Sequence, residues 1–283
     1  MSGRGVNSSA GRAGGEGARR GIRARASSRR RPRRGRALLG VVFGLWLGSC
    51  SNDPYPPEDT GKKILYSSFV EAPRTLDPAK AYTTVAHAIT GAVYDTLLTY
   101  HLLKRPLELI PGLAVDLPER TDLPDGRSRY RFELRRDLLF AEDDAFELAA
   151  PGLRTREVVA ADVAFQLARI ADPEVGSPVI EPFSNIEGFA TFGARLMARR
   201  EAEPAFAALP VHEQYEALGG IEGIRTPSSH VLEVTLARSY PQIRYWFAME
   251  FTTPVPWEAI AWYDGREGRP RFDDHPVGTG PFV

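Results

Sequence analysis

Residues 130–135, Tyr130-Arg131-Phe132-Glu133-Leu134-Arg135, alternate apolar and charged side chains without a break. Successive side chains of an extended chain point to opposite faces. Tyr130, Phe132 and Leu134 therefore face one way, and Arg129, Arg131, Glu133 and Arg135 the other. The pattern predicts a strand with one wet face inside an antiparallel region, 113–140, with Asp125-Gly126 as its turn. Further on the period changes. Val159, Val163, Leu167 and Ile170 share one stripe, which predicts a helix that Asp172-Pro173 stops. Strands and helices mix without regular alternation, so the fold class is α/β in the mixed, α+β sense.

Working outward, residues 186–218 read as helical, interrupted at Pro204 and Pro210. Ile221–Ile224 and His230–Leu236 predict a hairpin around Pro227-Ser228-Ser229. Pro241 opens a short helix containing Tyr245, Trp246 and Phe247. Upstream, Val85, Ile89, Val93 and Leu97 recur every fourth residue, predicting a helix over 84–98. Pro73 and Pro78 bracket a turn, Arg74-Thr75-Leu76-Asp77. Lys63 to Phe69 carries β-favouring Ile64, Tyr66 and Phe69 and predicts a first strand. No fixed-period repeat is visible.

The chain has 283 residues, 43% of them hydrophobic, with a formal net charge of zero. That zero averages two unlike regions. Residues 1–49 hold twelve Arg and one acid, Glu16, while 24 basic and 35 acidic residues follow from Cys50 onward, a charge of −11. An acidic body argues against nucleic acid as a partner, because phosphate binding needs a basic surface. Arg29, Arg30, Arg31, Arg33, Arg34 and Arg36 run directly into an apolar stretch of twelve residues, Ala37 to Gly48. At the helical rise this stretch is too short for a hydrocarbon core of about 30 Å. A basic head, a short apolar stretch and small residues at its end are the parts of a secretory signal, so residues 1–49 are expected to be a signal peptide. Arg33-Arg34 leaves a twin-arginine route open. Leu47-Gly48-Ser49-Cys50 resembles the lipobox of bacterial lipoproteins, in which the Cys is acylated. Cys50 is the only Cys, so no intramolecular disulfide forms. The polar, Pro-rich residues 50–61 then read as a lipid-anchored tether.

Four segments, in order, carry a likeness to a known family. They are Thr75-Leu76-Asp77-Pro78 with Tyr94-Asp95-Thr96-Leu97-Leu98; Tyr130 to Arg135 leading to Leu139-Phe140; Ala160-Ala161-Asp162-Val163-Ala164-Phe165 ending in Ile170-Ala171-Asp172-Pro173; and Thr253-Pro254-Val255-Pro256 with His275-Pro276-Val277-Gly278-Thr279-Gly280-Pro281-Phe282. Together they resemble the bacterial extracellular solute-binding proteins of family 5, the oligopeptide-, dipeptide- and nickel-binding components of ABC importers. One departure is the longer loop from Glu142-Asp143-Asp144 through Gly152.

The resemblance implies a periplasmic-binding-protein-like type II fold in which two lobes enclose a ligand. Residues 62–283 would form the N-terminal lobe, with an inserted subdomain at about 80–220 and the second lobe missing. A strand is expected to begin at Pro281, so the chain is expected to be truncated. Family ligand contacts carry over to Tyr82 and Thr83, to Val179 in Ser177-Pro178-Val179, where peptide-binding relatives place an aromatic, and to Glu250 and Phe251. The implied partners are a small solute such as a peptide, a nickel chelate or a sugar oligomer, the ABC permease subunits, and the membrane through lipidated Cys50. The protein is expected to be a monomer, exported, and periplasmic or at the cell surface. A sensory solute receptor would use the same fold.

The residues themselves offer little to an enzyme. There is no G-x-S-x-G elbow. His87, His101, His212, His230 and His275 are scattered, and His212-Glu213 lacks the second His of a zinc helix. Asp143-Asp144 and Asp273-Asp274 are paired acids of the kind that are commonly solvated. Gly278-Thr279-Gly280 lacks the Lys and the following helix of a phosphate loop; its glycines point to close backbone packing instead. No cofactor is expected. From the N-terminal pattern, mass spectrometry of the membrane fraction should find a mature chain that begins at Cys50 and carries lipid there, rather than an unmodified chain from Met1.

Overall fold

The computed structural model describes residues 55–59, 61–64, 66, 68, 69, 71–264 and 271–282. The expected signal peptide, Cys50 and the first part of the tether lie outside these residues. The chain divides into two compact units, 1–66 and 67–283. In the first, the described residues form a 3-10 turn at Pro57–Asp59, a Tyr55–Tyr66 ring stack at 3.9 Å and a Lys62–Asp59 ion pair at 2.9 Å. Among the described residues, no helix is long and apolar enough to cross a membrane.

The second unit is built on a four-stranded antiparallel sheet in the order β3-β4-β6-β5, with β3 at Glu119–Asp122, β4 at Ser128–Glu133, β5 at Ile224–Ser228 and β6 at Val231–Leu236. A separate hairpin precedes it, β1 (Leu98–Tyr100) with β2 (Leu109–Pro111). Strand β4 behaves as its alternation predicts: Ser128, Tyr130 and Phe132 are buried, and Arg129 and Glu133 are exposed. It pairs with β6 from Ser128↔Leu236 to Glu133↔Val231. On the wet face Arg131 lies opposite Glu233, 3.5 Å away, a favourable cross-strand charge pair. Pro227, expected in the turn, sits in edge strand β5 beside a register irregularity between Arg225 and Ser228. An edge tolerates a residue without an N–H.

The helices are α1 (Thr84–Val93), α2 (Ala160–Ala171), α3 (Ile180–Phe183), α4 (Phe189–Ala202), α5 (Pro204–Ala207), α6 (Val211–Ala217), α7 (Ile243–Trp246) and α8 (Trp257–Tyr263). Pro204 and Pro210 interrupt the helical stretch where expected, each standing at or just before a new helix start. Helix α1 is shorter than its apolar spacing predicts. It ends at Val93, and Leu97 reaches the core from extended chain just before β1. A four-residue spacing does not distinguish a helix face from a chain that leaves the helix and stays against the core. The expected first strand is not found: the described residues among 63–69 have no strand pairing, and Ile64, Tyr66 and Phe69 are exposed. β propensity reflects packing against neighbouring strands, which these residues lack. Nor does a strand form at Pro281-Phe282.

Helix α2 is the centre of the unit. Val163, Leu167 and Ile170 are fully buried, and the helix packs against β5, β6, α4 and α6. Its first turn is closed by Asp162, which accepts from the Val159 N–H at 2.8 Å. Three buried ionic groups are arranged along it. Arg156 reaches Asp162 at 2.7 Å and Glu258 of α8 at 2.7 Å. Arg169 donates to both oxygens of Asp77, at 2.9 and 2.6 Å, with both side chains nearly inaccessible to solvent. Asp172, just past the helix, accepts from Arg200 at 2.8 Å on each oxygen and from the Tyr215 hydroxyl at 2.8 Å. Burial pushes the Asp77 carboxyl up, but the Arg169 charge and hydrogen bonds outweigh it and hold the group below its ordinary value.

The Gly278-Thr279-Gly280 segment packs against the end of α1. A Cβ at Gly278 would lie 2.1 Å from the Val93 carbonyl oxygen, and one at Gly280 would lie 2.5 Å from that of Ala92. The Gly280 N–H donates to the Val93 carbonyl at 2.8 Å and so satisfies an orphan acceptor of the helix terminus. Thr279 Oγ1 donates to Asp95 Oδ2 at 3.1 Å. Close backbone packing is thus what the two glycines provide.

Two outcomes follow from this packing. Gly278→Ala must displace backbone and should cost about 1–3 kcal/mol or more in denaturant unfolding, whereas Gly126→Ala, at an open turn, meets no neighbouring atom and is limited to its backbone strain. Removing one partner of a buried pair strands the other charge, so Asp77→Asn should lose about 3–5 kcal/mol near neutral pH. Because the folded-state value of Asp77 is depressed, its contribution is present above about pH 4 and fades as pH falls through that value. The gap between wild type and Asp77→Asn should therefore narrow in strong acid.

Candidate functional site

The loop after the Thr-Leu-Asp-Pro segment is held by Asp77. Its carboxylate accepts from the Ala79 N–H at 3.0 Å, and its carbonyl from Lys80 and Ala81 at 3.0 and 2.8 Å. The chain then enters α1 through Thr83, the N-cap, whose Oγ1 accepts from the Ala86 N–H at 3.2 Å. That cap leaves the preceding side chain outside the helix: Tyr82 is 67% exposed.

Opposite this loop stands the 3-10 turn Glu250–Thr252. The Phe251 ring is buried, 6.0 Å from that of Tyr82. Its backbone carbonyl accepts from Gln166 Nε2 at 2.8 Å, and Gln166 Oε1 accepts from Arg169 at 3.0 Å. One hydrogen-bonded chain, Asp77–Arg169–Gln166–Phe251, therefore joins both walls. Between them is an open cleft of about 360 Å³ lined by Tyr82, Thr83, His87, Met249, Glu250 and Phe251, a size that suits part of a small ligand. His87 Nδ1 lies 3.1 Å from Glu250 Oε2. Glu250 also borders a second cleft of about 480 Å³ with Asp95, Thr96, Thr99 and Arg135.

Four of the five residues carried over from the family likeness, Tyr82, Thr83, Glu250 and Phe251, are thus brought together. Val179 is not: it is 2% exposed and packed in the core beside α3. Thr83 contributes chiefly a helix cap, and Phe251 presents little surface. His87 was not singled out by sequence, although its place one turn after Thr83 sets it over the same end of α1. Arg135 and Thr99 join the second cleft through long-range folding, and their local sequence carries no signal of it.

One acid of each pair is committed to the fold, while Asp144 and Asp274 are exposed as expected. Asp143 is largely buried, contrary to the solvated reading. It accepts from the Ala145 N–H at 2.7 Å and the Tyr263 hydroxyl at 2.9 Å, and lies 3.1 Å from His275 Nε2. Asp273 pairs with Lys80 at 2.6 Å and accepts from Thr75. Among the described residues no group of three or more His, Cys, Asp or Glu side chains is placed to hold a metal ion.

Comparison with known proteins gives one consistent family. A periplasmic-binding protein described as a probable ABC transporter component, SapA of Escherichia coli K12, is 24% identical over 249 residues, 87% of this chain and 38% of the relative. The peptide transport periplasmic protein SapA of Salmonella typhimurium LT2 is 25% identical over 251 residues, 86% of this chain and 39% of the relative. The chain thus spans less than two-fifths of the length of these relatives. Among solved structures, Listeria monocytogenes OppA bound to peptide superposes with a TM-score of 0.52 at 19% identity, over 74% of this chain and 33% of that one. That likeness concerns the fold, a periplasmic-binding-protein architecture of which this chain covers a part. The model of the bacterial extracellular solute-binding proteins, family 5 Middle, matches residues 108–283, more than half of the sequence, and the chain belongs to that family.

Proposed function

We propose that residues 62–283 form the N-terminal lobe, with an inserted subdomain at about 80–220, of the extracytoplasmic solute-binding component of an ABC importer. It captures a peptide or similar small solute and delivers it to permease subunits. The observation that carries this reading is the cleft between Tyr82 and Phe251, held from both sides by the Arg169 network, in a chain of a solute-binding family. An exposed aromatic ring beside an acid and a histidine offers stacking and hydrogen bonding to a polar solute without a nucleophile and base to attack it. A second lobe would close over this face and exclude water, as in hinge-bending binding proteins. Peptide is favoured among solutes because the Salmonella relative is described as a peptide transport protein. The Arg-rich head, the apolar stretch and Leu-Gly-Ser-Cys support export and anchoring through an acylated Cys50.

Calorimetry with a peptide pool, on the chain extended to the length of its relatives, tests the cleft. Tyr82→Ala should weaken binding about tenfold with little change in melting temperature, because the ring is exposed. Thr83→Ala should do the reverse in part, removing a cap worth about 1 kcal/mol of stability. Unchanged affinity in both Tyr82→Ala and Glu250→Gln would place the ligand elsewhere.

A further inference from the structure

We propose that the tip of the β1–β2 hairpin, residues 101–107, is a lipid-contacting element that rests in the interfacial zone of an anionic membrane. The tip reads His101-Leu102-Leu103-Lys104-Arg105-Pro106-Leu107. Leu102 and Leu103 are 83% and 81% exposed and Leu107 is 57% exposed, the largest run of open aliphatic surface among the described residues. A hairpin end projects these side chains rather than lining a groove, so a flat, deformable, apolar acceptor suits them better than a shaped pocket.

Charge favours lipid over a neutral apolar partner. From Cys50 onward the chain carries −11, yet the tip contains Lys104 and Arg105 and no acid. Basic side chains beside exposed leucines on an otherwise acidic body complement anionic headgroups, with about 1 kcal/mol gained per basic residue near such a surface. Lys104 shares its charge with Glu108 at 2.8 Å, both more than half exposed, and an exposed pair of this kind costs little to separate.

The backbone of the tip is also prepared for a medium poor in water. His101 Nδ1 accepts from the N–H groups of Leu103 and Lys104, at 3.2 and 3.3 Å. The Arg105 guanidinium donates to the carbonyls of Leu102 and Lys104, at 3.4 and 2.8 Å. The His101 N–H donates to the Glu108 carbonyl at 2.8 Å. Donors and acceptors satisfied within the loop lower the penalty of leaving water. At the base of the hairpin, Tyr100 and Tyr245 stack with ring centroids 6.4 Å apart and Tyr245 partly exposed. Tyrosine is the kind of side chain that settles at headgroup level. The placement does not depend on acylation of Cys50.

The test uses the full chain carrying Cys50→Ser, with Leu103→Cys as the only thiol for an environment-sensitive fluorophore and, in a separate protein, Glu201→Cys on the exposed face of α4 as the comparison. Vesicles of phosphatidylglycerol with phosphatidylethanolamine should shift the emission at 103 to the blue and allow quenching by brominated lipid, while the label at 201 stays unchanged. Lys104→Gln should weaken the effect about fivefold, and Leu102→Ser with Leu107→Ser should lower it at least tenfold without moving the melting temperature. No shift at 103 on anionic vesicles would overturn the proposal. A shift that appears only when permease subunits are present in the vesicles would also overturn it, naming a protein partner instead.

Discussion

A guanidinium taken out of water has to keep a carboxylate in hydrogen-bonding geometry, and among the described residues Arg169 meets that requirement with Asp77. Because the two residues lie 92 positions apart, the requirement positions a surface loop from the middle of the core. Helix α2 contributes the cation, and the turn before α1 contributes the anion. Both walls of the cleft are tied to this pair: the loop that exposes Tyr82 through Asp77, and the carbonyl of Phe251 through Gln166. The pair need not add net stability to do this, since two well-packed apolar residues could be equally stable. What they would not supply is direction. A bidentate contact accepts only one approach of the loop.

The other two ionic groups along α2 repeat the arrangement. Arg156 binds Asp162 and Glu258, tying the start of the helix to α8, and Arg200 binds Asp172, tying its end to α4 with Tyr215 of α6 as the third member. The apolar stripe of Val163, Leu167 and Ile170 supplies the driving force for burial, which is non-directional. The charged residues at the helix ends decide which neighbours are accepted.

This division explains how much of the molecule was legible in its sequence. Strand β4, helix α2 and the interrupted helices around Pro204 and Pro210 depend on local periodicity and local breakers, and their sequences display both. The apolar spacing runs past the end of α1 because Val93 and Leu97 are both buried although only Val93 is helical. The strand expected at Lys63–Phe69 rested on propensity alone, and the described residues there have no pairing. The cleft was partly legible. Tyr82, Thr83, Glu250 and Phe251 came from a family likeness, not from any local pattern, and they meet in space. Val179 came from the same likeness and is packed in the core instead. Arg169, Gln166, Arg135 and His87 carry no local mark of their roles, because those roles arise from contacts across the whole unit.

The segment around Gly278-Thr279-Gly280 completes α1 from a great distance along the chain. Asp95 and Thr279, which hydrogen-bond directly, are 184 residues apart, and the same segment bonds Leu76 through Asp273 and Ala141 through Gly278. Synthesis presents a chain from its N-terminus. Whatever helix has formed at 84–93 by then lacks its terminal cap, and the loop bearing Tyr82 lacks its Asp273 contacts, until residues 273–280 emerge. Closing so long a loop costs entropy before any contact repays it. The element made early therefore stays unfinished while nearly two hundred residues are produced. A chain in that condition completes the wall that carries Tyr82 only when the latest of these contacts has been delivered.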